Sequence, residues 1–315
     1  MKRVCIFAHW DKDNFIDDYV IYYLKSLKNL CEKIIFVSDC SKLKNKDILD
    51  DIVDFSIVEN HHEYDFGSYK RGFLLAQEQI PDYDELLFVN DSCYGPFFEL
   101  EPIFKKMEKK KCDFWGLTRN NYGLKKDVQT PPEWLPHIQS YFLVFKKNVC
   151  NSEVFLNFIN NIKHEETKDE IINKYEIGLS RILIASGFKP AVYINKYSHT
   201  GNCLNQKWER LIRWYKFPFL KTNIPKNGIP PIGEIKNWKP AIESVSDYPT
   251  ELIFKNVDRL KDFAQNKYVT LNPYRKLRFH FLNNTPMEFR PLLIKFEKNT
   301  FNILNTLCFH KLPKF

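Results

Sequence analysis

Several common sequence patterns are missing from the 315-residue chain, and each absence argues against a class of protein. No stretch of 18 uncharged apolar residues occurs, so no transmembrane helix is expected. No GxGxxG follows the first predicted strand and no GxxxxGK[ST] occurs anywhere, which argues against a dehydrogenase-type dinucleotide fold and excludes a P-loop. The eight cysteines form no CxxC pair and no zinc-site spacing, so we expect free, mostly buried thiols in a reducing cytosol.

The start of the chain also lacks the features of a leader. Its apolar run is too short for a signal peptide, and Asp11 and Asp13 follow it at once. We therefore expect the first strand of a cytoplasmic protein. With 44% hydrophobic and 16% aromatic residues, the chain is long and apolar enough to form a globular core.

The net charge of +8 is concentrated in the C-terminal third. From Gly201 onward 20 Lys and Arg residues stand against 9 Asp and Glu residues, whereas the first 200 residues have 27 against 30. Basic residues interleaved with aromatic ones fit an anionic membrane face or a phosphate-bearing lipid, with nucleic acid as an alternative. An ordinary solvated Lys-rich surface has the same composition. We expect peripheral membrane contact and no nucleic acid partner.

Short apolar runs alternate with segments of helical spacing through the first 200 residues. Strands are predicted at 3–9, 33–39, 55–60, 85–90, 113–118, 138–145 and 190–194. Helices are predicted at 14–30, 46–51, 67–80, 98–110, 152–161 and 168–186. This alternation predicts an α/β fold, with a mostly parallel sheet, helices on both faces and a ligand site at the C-terminal ends of the strands.

The pattern weakens beyond residue 222, where prolines fragment it and helices are predicted only at 247–264 and 287–309. We therefore predict one α/β domain over residues 1–221. Residues 222–315 are predicted to form a basic, aromatic-rich and partly helical extension close to the acceptor or the membrane.

The strand predicted at 85–90 ends abruptly in Asn90, Asp91 and Ser92, and a Gly-Pro turn follows. Polar residues also follow the first strand, at His9, and the second strand, at 38–39. Because the C-terminal ends of parallel strands meet at one edge of a sheet, we expect these groups to converge around Asp91. The alternative is that the Asn-Asp-Ser triplet only caps the next turn.

The segment 61–72 connects the third predicted strand to the helix predicted at 67–80 and includes the start of that helix, and it offers further polar groups. Asp65 is a candidate acceptor for a ribose or a base, and Gly67 permits close approach of a ligand to the backbone. A helix N-terminus with Lys70 and Arg71 is suited to hold a diphosphate. An N-capped helix with a surface Lys-Arg pair accounts for the same residues without a ligand.

Four motifs occur in a recognisable order: YDFGSYK at 64–70, VNDSCYGP at 89–96, DFWGLT at 113–118 and HIQSYF at 137–142. Together they resemble the rhamnan synthesis F family of bacterial glycosyltransferases, which assemble cell-wall and O-antigen polysaccharides and have a GT-A-like fold. Similarity in the first strand, at YEIG (175–178) and at FPFLK (217–221) extends the resemblance over residues 3–221. It implies a nucleotide-diphosphate sugar donor, with dTDP-L-rhamnose as the first expectation. It also implies a growing glycan or lipid-linked glycan as acceptor.

The resemblance, taken with the strand ends, gives a set of candidate site residues. We expect the donor to be bound by His9, Asp65, Gly67, Tyr69, Lys70, Arg71, Asn90, Asp91, Ser92 and Gln139. GT-A enzymes generally hold a divalent metal on the donor diphosphate with an Asp-x-Asp, whereas the corresponding triplet here has one carboxylate. Asp91 and His199 are the candidate ligands of Mg²⁺ or Mn²⁺. Neutralisation of the diphosphate by cations without a metal is the alternative.

An inverting transfer needs a carboxylate that removes the proton of the acceptor hydroxyl. Glu176 is the candidate base, because it lies on the predicted helix 168–186 but off its apolar face. Asp91 is the second candidate catalytic residue, and Glu133, in the long loop 119–136, is a rival base. A solvated helix glutamate has the same sequence pattern. Three functions stay open: rhamnosyl transfer, transfer of another sugar from a UDP- or GDP-linked donor, and a non-catalytic glycan-binding module of a polysaccharide assembly complex.

Overall fold

The structure is a computed structural model that describes residues 1–120, 136–196, 202–227 and 237–261. Its strands are β1 (Arg3–His9), β2 (Lys33–Ser38), β3 (Phe55–Val58), β4 (Glu85–Asn90), β5 (Cys93–Tyr94), β6 (Phe114–Gly116), β7 (Arg119–Asn120), β8 (His137–Ile138), β9 (Phe142–Lys146), β10 (Pro190–Val192) and β11 (Leu220–Lys221). Each strand predicted from an apolar run is therefore present, although several are shorter than predicted.

One sheet joins seven of these strands in the order β10, β6, β9, β4, β1, β2, β3. Neighbouring strands are parallel from β4 to β3 and between β10 and β6. The exception is β9, which is antiparallel to both β4 and β6. The predicted mostly parallel sheet is confirmed. An apolar run indicates burial but not strand direction, so the reversal of β9 was not predictable from it.

The α-helices of the described residues are α1 (Asp18–Lys28), α2 (Tyr64–Ala76), α3 (Glu101–Glu108), α4 (Lys147–Cys150), α5 (Glu153–Asn160), α6 (Lys168–Ile171), α7 (Gly178–Ala185), α8 (Cys203–Gln206), α9 (Trp208–Tyr215), α10 (Asn223–Asn227), α11 (Trp238–Glu243) and α12 (Glu251–Arg259). Two short 3₁₀ helices lie at Lys46–Leu49 and Ile80–Asp82. A π-helical segment, Ile172–Ile177, joins α6 to α7. The predicted helix 168–186 therefore exists but is widened in its middle.

The start of α1 is four residues later than predicted. The Oδ1 atom of Asp11 accepts hydrogen bonds from the backbone N–H groups of Asp13 (2.9 Å) and Phe15 (3.2 Å). Asn14 adopts a left-handed conformation with φ of 58°. This turn satisfies backbone groups that a helix would otherwise use, so the helix begins only at Asp18.

Both faces of the sheet are covered, as the continuous apolar strands predict. In β1, Phe7 packs into the cluster that contains α1, while Ile6 packs into the cluster that contains α2. Alternate side chains of a strand point to opposite faces, so a fully apolar strand is stable only between two layers of helices. Trp115 is fully buried and belongs to the core.

A second, two-stranded pairing lies beside the end of β4. β5 pairs antiparallel with β11, although more than 120 residues separate them in sequence. Gly95, just after β5, has φ of 129°, and a Cβ atom there would lie 2.3 Å from the carbonyl oxygen of Pro218. Only glycine allows this approach of the two segments. The pairing carries Lys221 to the edge where β4 ends.

The described residues after 221 pack against the same core as the sheet. Side chains of α10, α11 and α12, including Ile224, Ile242 and Ile253, are buried in the cluster that contains α1. The domain boundary at residue 221 and the role of residues 222–315 stay predictions. The helix predicted at 287–309 lies outside the described residues.

Two further expectations concern composition. The seven cysteines within the described ranges are free and buried, as predicted. None of the helices in those ranges combines the length and the apolar character needed to cross a membrane.

Candidate active site

The polar residues that end β1, β2 and β4 meet at one edge of the sheet. His9 is in register with Ser38, and Ala8 is in register with Asn90. Nδ1 of His9 lies 2.9 Å from Oγ of Ser38, and Nε2 lies 4.0 Å from Oδ2 of Asp91. Burial lowers the pKa of His9 to about 4, so its ring is neutral at pH 7. His9 therefore acts at this edge through hydrogen bonds and not as a cation.

Asp91 occupies the centre of this edge, and its side chain is 16% exposed. The backbone N–H of Trp10 donates to its Oδ2 atom at 3.1 Å. The hydroxyl of Tyr19 donates to its main-chain oxygen at 2.9 Å. Burial raises the pKa of Asp91 to about 8, and the nearby charge of Asp65 acts in the same direction. A carboxyl group whose pKa lies near neutral pH changes its protonation state readily when another charge enters the site.

Asp65 reaches the same edge from the first turn of α2. The side-chain amide of Asn90 donates to Oδ2 of Asp65 at 2.7 Å. Burial raises the pKa of Asp65, whereas the positive charge of Lys221 opposes the rise and the charge of Glu176 adds to it. These influences show that Lys221 and Glu176 are close enough to act on the same carboxyl group. The structure thus brings Asp65, Asn90 and Asp91 together at one edge.

Two lysines that the sequence analysis missed complete the charged groups of this edge. Nζ of Lys221 donates to Oγ of Ser92 at 2.9 Å and lies 4.9 Å from the centre of the Tyr141 ring. Nζ of Lys226, on α10, lies 5.9 Å from the centre of the Tyr94 ring. Burial lowers the pKa of Lys226 to about 8. The one available signal was the position of Lys221 at the end of the FPFLK motif.

A cavity of about 200 Å³ opens between the ends of β1 and β4 and the helices α10 and α12. The ionisable side chains that line it include Asp11, Lys12, Asp17, Asp91 and Lys226. Trp10 also lines it and is largely exposed. The cavity therefore combines an open aromatic face with ionisable groups, which is the setting that part of a nucleotide requires.

Glu176 lies in the π-helical segment between α6 and α7. Its Oε1 atom accepts a hydrogen bond from the backbone N–H of Ser140 at 3.2 Å and lies 3.9 Å from Nε2 of His137. π-helical turns are rare and occur frequently at functional sites. The carboxylate is thus held against the loop before β9 by more than one neighbour, and it is not a freely solvated helix glutamate.

Lys70 and Arg71, predicted to hold a diphosphate, bind other partners. Nζ of Lys70 donates to the carbonyl oxygens of Asn160 (3.1 Å) and Ile162 (2.6 Å) just after α5. The Arg71 guanidinium forms ion pairs with two glutamates, at 59 and 63. Both cations therefore link α2 to its surroundings in this structure, and donor contact by either stays a prediction.

Gly67 and Tyr69 also serve packing in this structure. A Cβ atom on Gly67 would lie 2.3 Å from Cβ of Glu63, so the close approach is to its own chain and not to a ligand. Tyr69 is fully buried and stacks on Phe88 with ring centroids 4.5 Å apart. Direct donor contact was expected of both residues, and neither is exposed enough to provide it.

Gln139 is buried one layer behind the edge. Its Oε1 atom accepts a hydrogen bond from the hydroxyl of Thr118 at 2.8 Å, and that hydroxyl lies 2.8 Å from the hydroxyl of Tyr141. Because Lys221 lies over the Tyr141 ring, this network supports the site from below.

The described residues do not fit a divalent metal site. The β4 end supplies one carboxylate, that of Asp91. Within the described ranges no group of three His, Cys, Asp or Glu side chains is arranged to hold a metal ion. Mg²⁺ and Mn²⁺ prefer several oxygen ligands, carboxylates among them. The second predicted ligand, His199, and the rival base, Glu133, lie outside the described residues.

The chain is similar to several known proteins in sequence or in fold. The chain is 27% identical to the virulence protein VirA of Vibrio anguillarum over 228 residues, which are 71% of this chain and 68% of that protein. Among solved structures it is similar to S. aureus TarS, with 12% identity and a TM-score of 0.39, over 92% of this chain and 47% of that one. It is also similar to 4-diphosphocytidyl-2C-methyl-D-erythritol synthase, with 11% identity and a TM-score of 0.39, over 66% of this chain and 95% of that one. At these TM-scores neither structure supports a statement about activity.

A family model gives the assignment that these distant similarities do not. The model of rhamnan synthesis protein F matches residues 34–284, which is most of the chain. The matched range includes Asp65, Asn90, Asp91, Glu176 and both lysines of the site. The chain therefore belongs to the rhamnan synthesis protein F family.

Proposed function

We propose that the chain is a GT-A-like glycosyltransferase that moves a sugar from a nucleotide diphosphate to a growing cell-surface polysaccharide. The observation that carries the proposal is the convergence of Asp65, Asp91, Glu176 and Lys221 on one sheet edge in a member of the rhamnan synthesis family. Open α/β sheets bind ligands outside the carboxyl ends of their strands. Burial lowers the pKa of His9 and raises the pKa of Asp65 and of Asp91, and ionisable groups perturbed in this way at one edge are typical of a catalytic site.

The nucleotide is proposed to occupy the cavity between β1, β4 and the C-terminal helices. Trp10 offers an aromatic face to the base, and neutral His9 and the Asp11 carboxylate offer hydrogen bonds to base or ribose. Asp91 then faces the sugar or the diphosphate. This arrangement points the anomeric carbon toward Asp65 and Glu176, where the reaction takes place.

Glu176 is proposed to be the base of an inverting transfer. The acceptor hydroxyl oxygen forms a bond to the anomeric carbon while the bond from that carbon to the β-phosphate oxygen breaks. The hydroxyl proton passes to Glu176, and the nucleoside diphosphate leaves with the electron pair. The Ser140 N–H orients one carboxylate oxygen, which leaves the other free to accept the proton.

L-Rhamnose from dTDP-L-rhamnose is the proposed donor sugar, on the strength of the family. A thermal-shift and calorimetric panel of dTDP-, UDP- and GDP-sugars, with and without Mg²⁺ or Mn²⁺, tests it. Stabilisation by dTDP-L-rhamnose is expected. Stabilisation by UDP-sugars alone would reject rhamnose, and failure to bind any nucleotide would favour a non-catalytic glycan-binding module.

The catalytic assignment has its own test. Glu176→Gln keeps the acceptor for the Ser140 N–H but removes the base, so transfer is expected to fall by about 10²–10⁴-fold with donor affinity unchanged. Asp91→Ala is expected to lower both donor affinity and transfer. Wild-type transfer rates in both variants would overturn the assignment.

The acceptor is proposed to be a lipid-linked glycan at the cytoplasmic face of the membrane, which the basic C-terminal third approaches. Co-sedimentation with vesicles of phosphatidylglycerol and phosphatidylcholine at low salt tests this part. Binding that weakens as salt rises is expected. No binding to the anionic vesicles at low salt would contradict it.

A further inference from the structure

Among the described residues, two cations face the site without a carboxylate partner at contact distance, namely Lys221 and Lys226. Asp11 and Asp17 form ion pairs with Arg259, and the nearest basic nitrogen to Asp91 is that of neutral His9. Within the described ranges, Lys226 therefore faces these three acids without an ion pair to any of them. In the part of the chain that the structure describes, the Lys221 amine donates a hydrogen bond to one neutral group, the hydroxyl of Ser92.

The positions of the two lysines are fixed by the fold. Lys221 is held by the β5–β11 pairing, in register with Cys93, and by the Tyr141 ring below its amine. Lys226 follows on α10, whose Ile224 side chain is fully buried in the core. Neither amine needs a large change in the backbone to meet a ligand beside Asp91.

A nucleoside-diphosphate sugar brings at least two negative charges to this edge. The nucleoside diphosphate carries one more negative charge once the sugar has been transferred. In most sites a divalent cation or a set of basic side chains stabilises that charge. The described residues lack the ligands for the cation but supply the basic side chains. The Ser92 hydroxyl accepts from Lys221 and donates its one hydrogen to the amide oxygen of Asn90, so it fixes the position of the Lys221 amine at this edge.

We propose that Lys221 and Lys226 bind the donor diphosphate and stabilise the leaving nucleoside diphosphate in place of a divalent metal, an inference that rests on the proposed function. As the bond from the anomeric carbon to the β-phosphate oxygen breaks, the electron pair stays on that oxygen. The two ammonium groups offset the charge that develops there.

The test is calorimetric titration of dTDP, UDP and GDP into the full chain in EDTA and, separately, in Mg²⁺. Wild-type protein is expected to bind one of these nucleotides in EDTA. Lys221→Gln and Lys226→Gln keep most of the side-chain length but remove the charge, and each is expected to weaken binding by about 10–100-fold. The same variants should bind the corresponding nucleoside, which has no phosphate, as the wild type does.

Lys255→Gln is the matched control, because Lys255 is an exposed lysine of the same C-terminal region that pairs with Asp18 away from the cavity. It should bind every nucleotide like the wild type. Thermal unfolding of each variant identifies any loss of folding, and Lys221→Arg and Lys226→Arg should restore part of the affinity.

The outcomes separate this inference from the proposed function. A wild-type chain that binds no nucleoside diphosphate in either buffer overturns the proposed function. Binding that requires Mg²⁺ and is unchanged in both glutamine variants overturns the role of the lysines and leaves the glycosyltransferase proposal standing. Equal loss of nucleoside and nucleoside diphosphate binding means that the lysines only maintain the shape of the site, and this also overturns the inference.

Discussion

Arg259 is predicted to be the residue that fixes the last described helix to the first loop of the chain. Its guanidinium contacts three carboxylates: Asp13 at 2.8 Å, and Asp11 and Asp17 at 2.5 Å each. Asn256, one turn earlier on α12, donates to the same Asp17 and accepts from the hydroxyl of Tyr94. The change to be made is Arg259→Met, which keeps a long side chain and removes the charge.

The expected cost follows from the burial of these groups. The side chains of Asp11 and Asp17 are only 7% and 9% exposed, so the variant leaves two nearly buried carboxylates without their cation. Removing one partner of a buried ion pair costs about 3–5 kcal/mol. The Arg259 side chain is 23% exposed, so in the variant water can reach the two carboxylates and recover part of the lost stabilisation. We therefore expect a loss near the lower end, about 3 kcal/mol, and a fall in Tm of about 5–10 °C.

Urea unfolding followed by circular dichroism at pH 7, together with thermal unfolding, measures the effect. Lys255→Met is the matched control, because Lys255 lies one turn away on α12 and forms an exposed ion pair with Asp18. Exposed pairs contribute little, so this variant should unfold like the wild type. If Arg259→Met is no less stable than Lys255→Met, the reasoning from burial is wrong.

The remaining predictions concern pH and backbone conformation. The folded pKa of Asp91, about 8, exceeds its unfolded value of about 4, so the folded state holds an extra proton between these pH values and wild-type stability should fall as pH rises through that window. The Asp91→Asn variant should lack this fall, and its free energy of unfolding should exceed that of the wild type by roughly 1–3 kcal/mol at pH 8. Urea unfolding of both proteins at several pH values measures this. An equal dependence of the free energy of unfolding on pH in the two proteins would contradict the prediction. Gly95→Ala should destabilise the chain by about 2 kcal/mol or more, because its new Cβ meets the Pro218 carbonyl at a positive φ. Gly187→Ala is the control, because φ is 90° there but no atom lies within 4 Å of the added Cβ, so this variant measures the backbone cost alone. An equal fall in Tm in the two variants would show that the contact with Pro218 is unimportant.

Local patterns in the sequence were sufficient for the sheet and for one side of the site. The apolar runs ending in polar residues identified β1, β2 and β4, and the rule that parallel strand ends share an edge placed Asn90 and Asp91 beside His9. Whether these residues bind a donor stays a prediction. The direction of β9 and the late start of α1 were missed, because one depends on its neighbours in the sheet and the other on the side chain of Asp11.

The partners of the predicted diphosphate-binding cations could not be predicted from local sequence for a related reason. Lys70 and Arg71 lie near Asp65 in sequence, which favoured them as diphosphate ligands. Their partners lie elsewhere, and in the case of Lys70 they are about 90 residues away along the chain. Lys221 reaches Ser92 through a strand pairing between residues 129 positions apart, and no local spacing indicates such a contact.

The contact between Arg259 and Asp11 has a consequence for synthesis of the protein. The two residues are 248 positions apart, so at ordinary rates of translation the first loop waits roughly 10–50 s for its partner to leave the ribosome. During that interval the strands β1 to β4 can pair, but Asp11 and Asp17 have no cation and the cavity has no wall formed by α12. A nascent chain can therefore pair these strands well before α12 supplies its wall of the cavity.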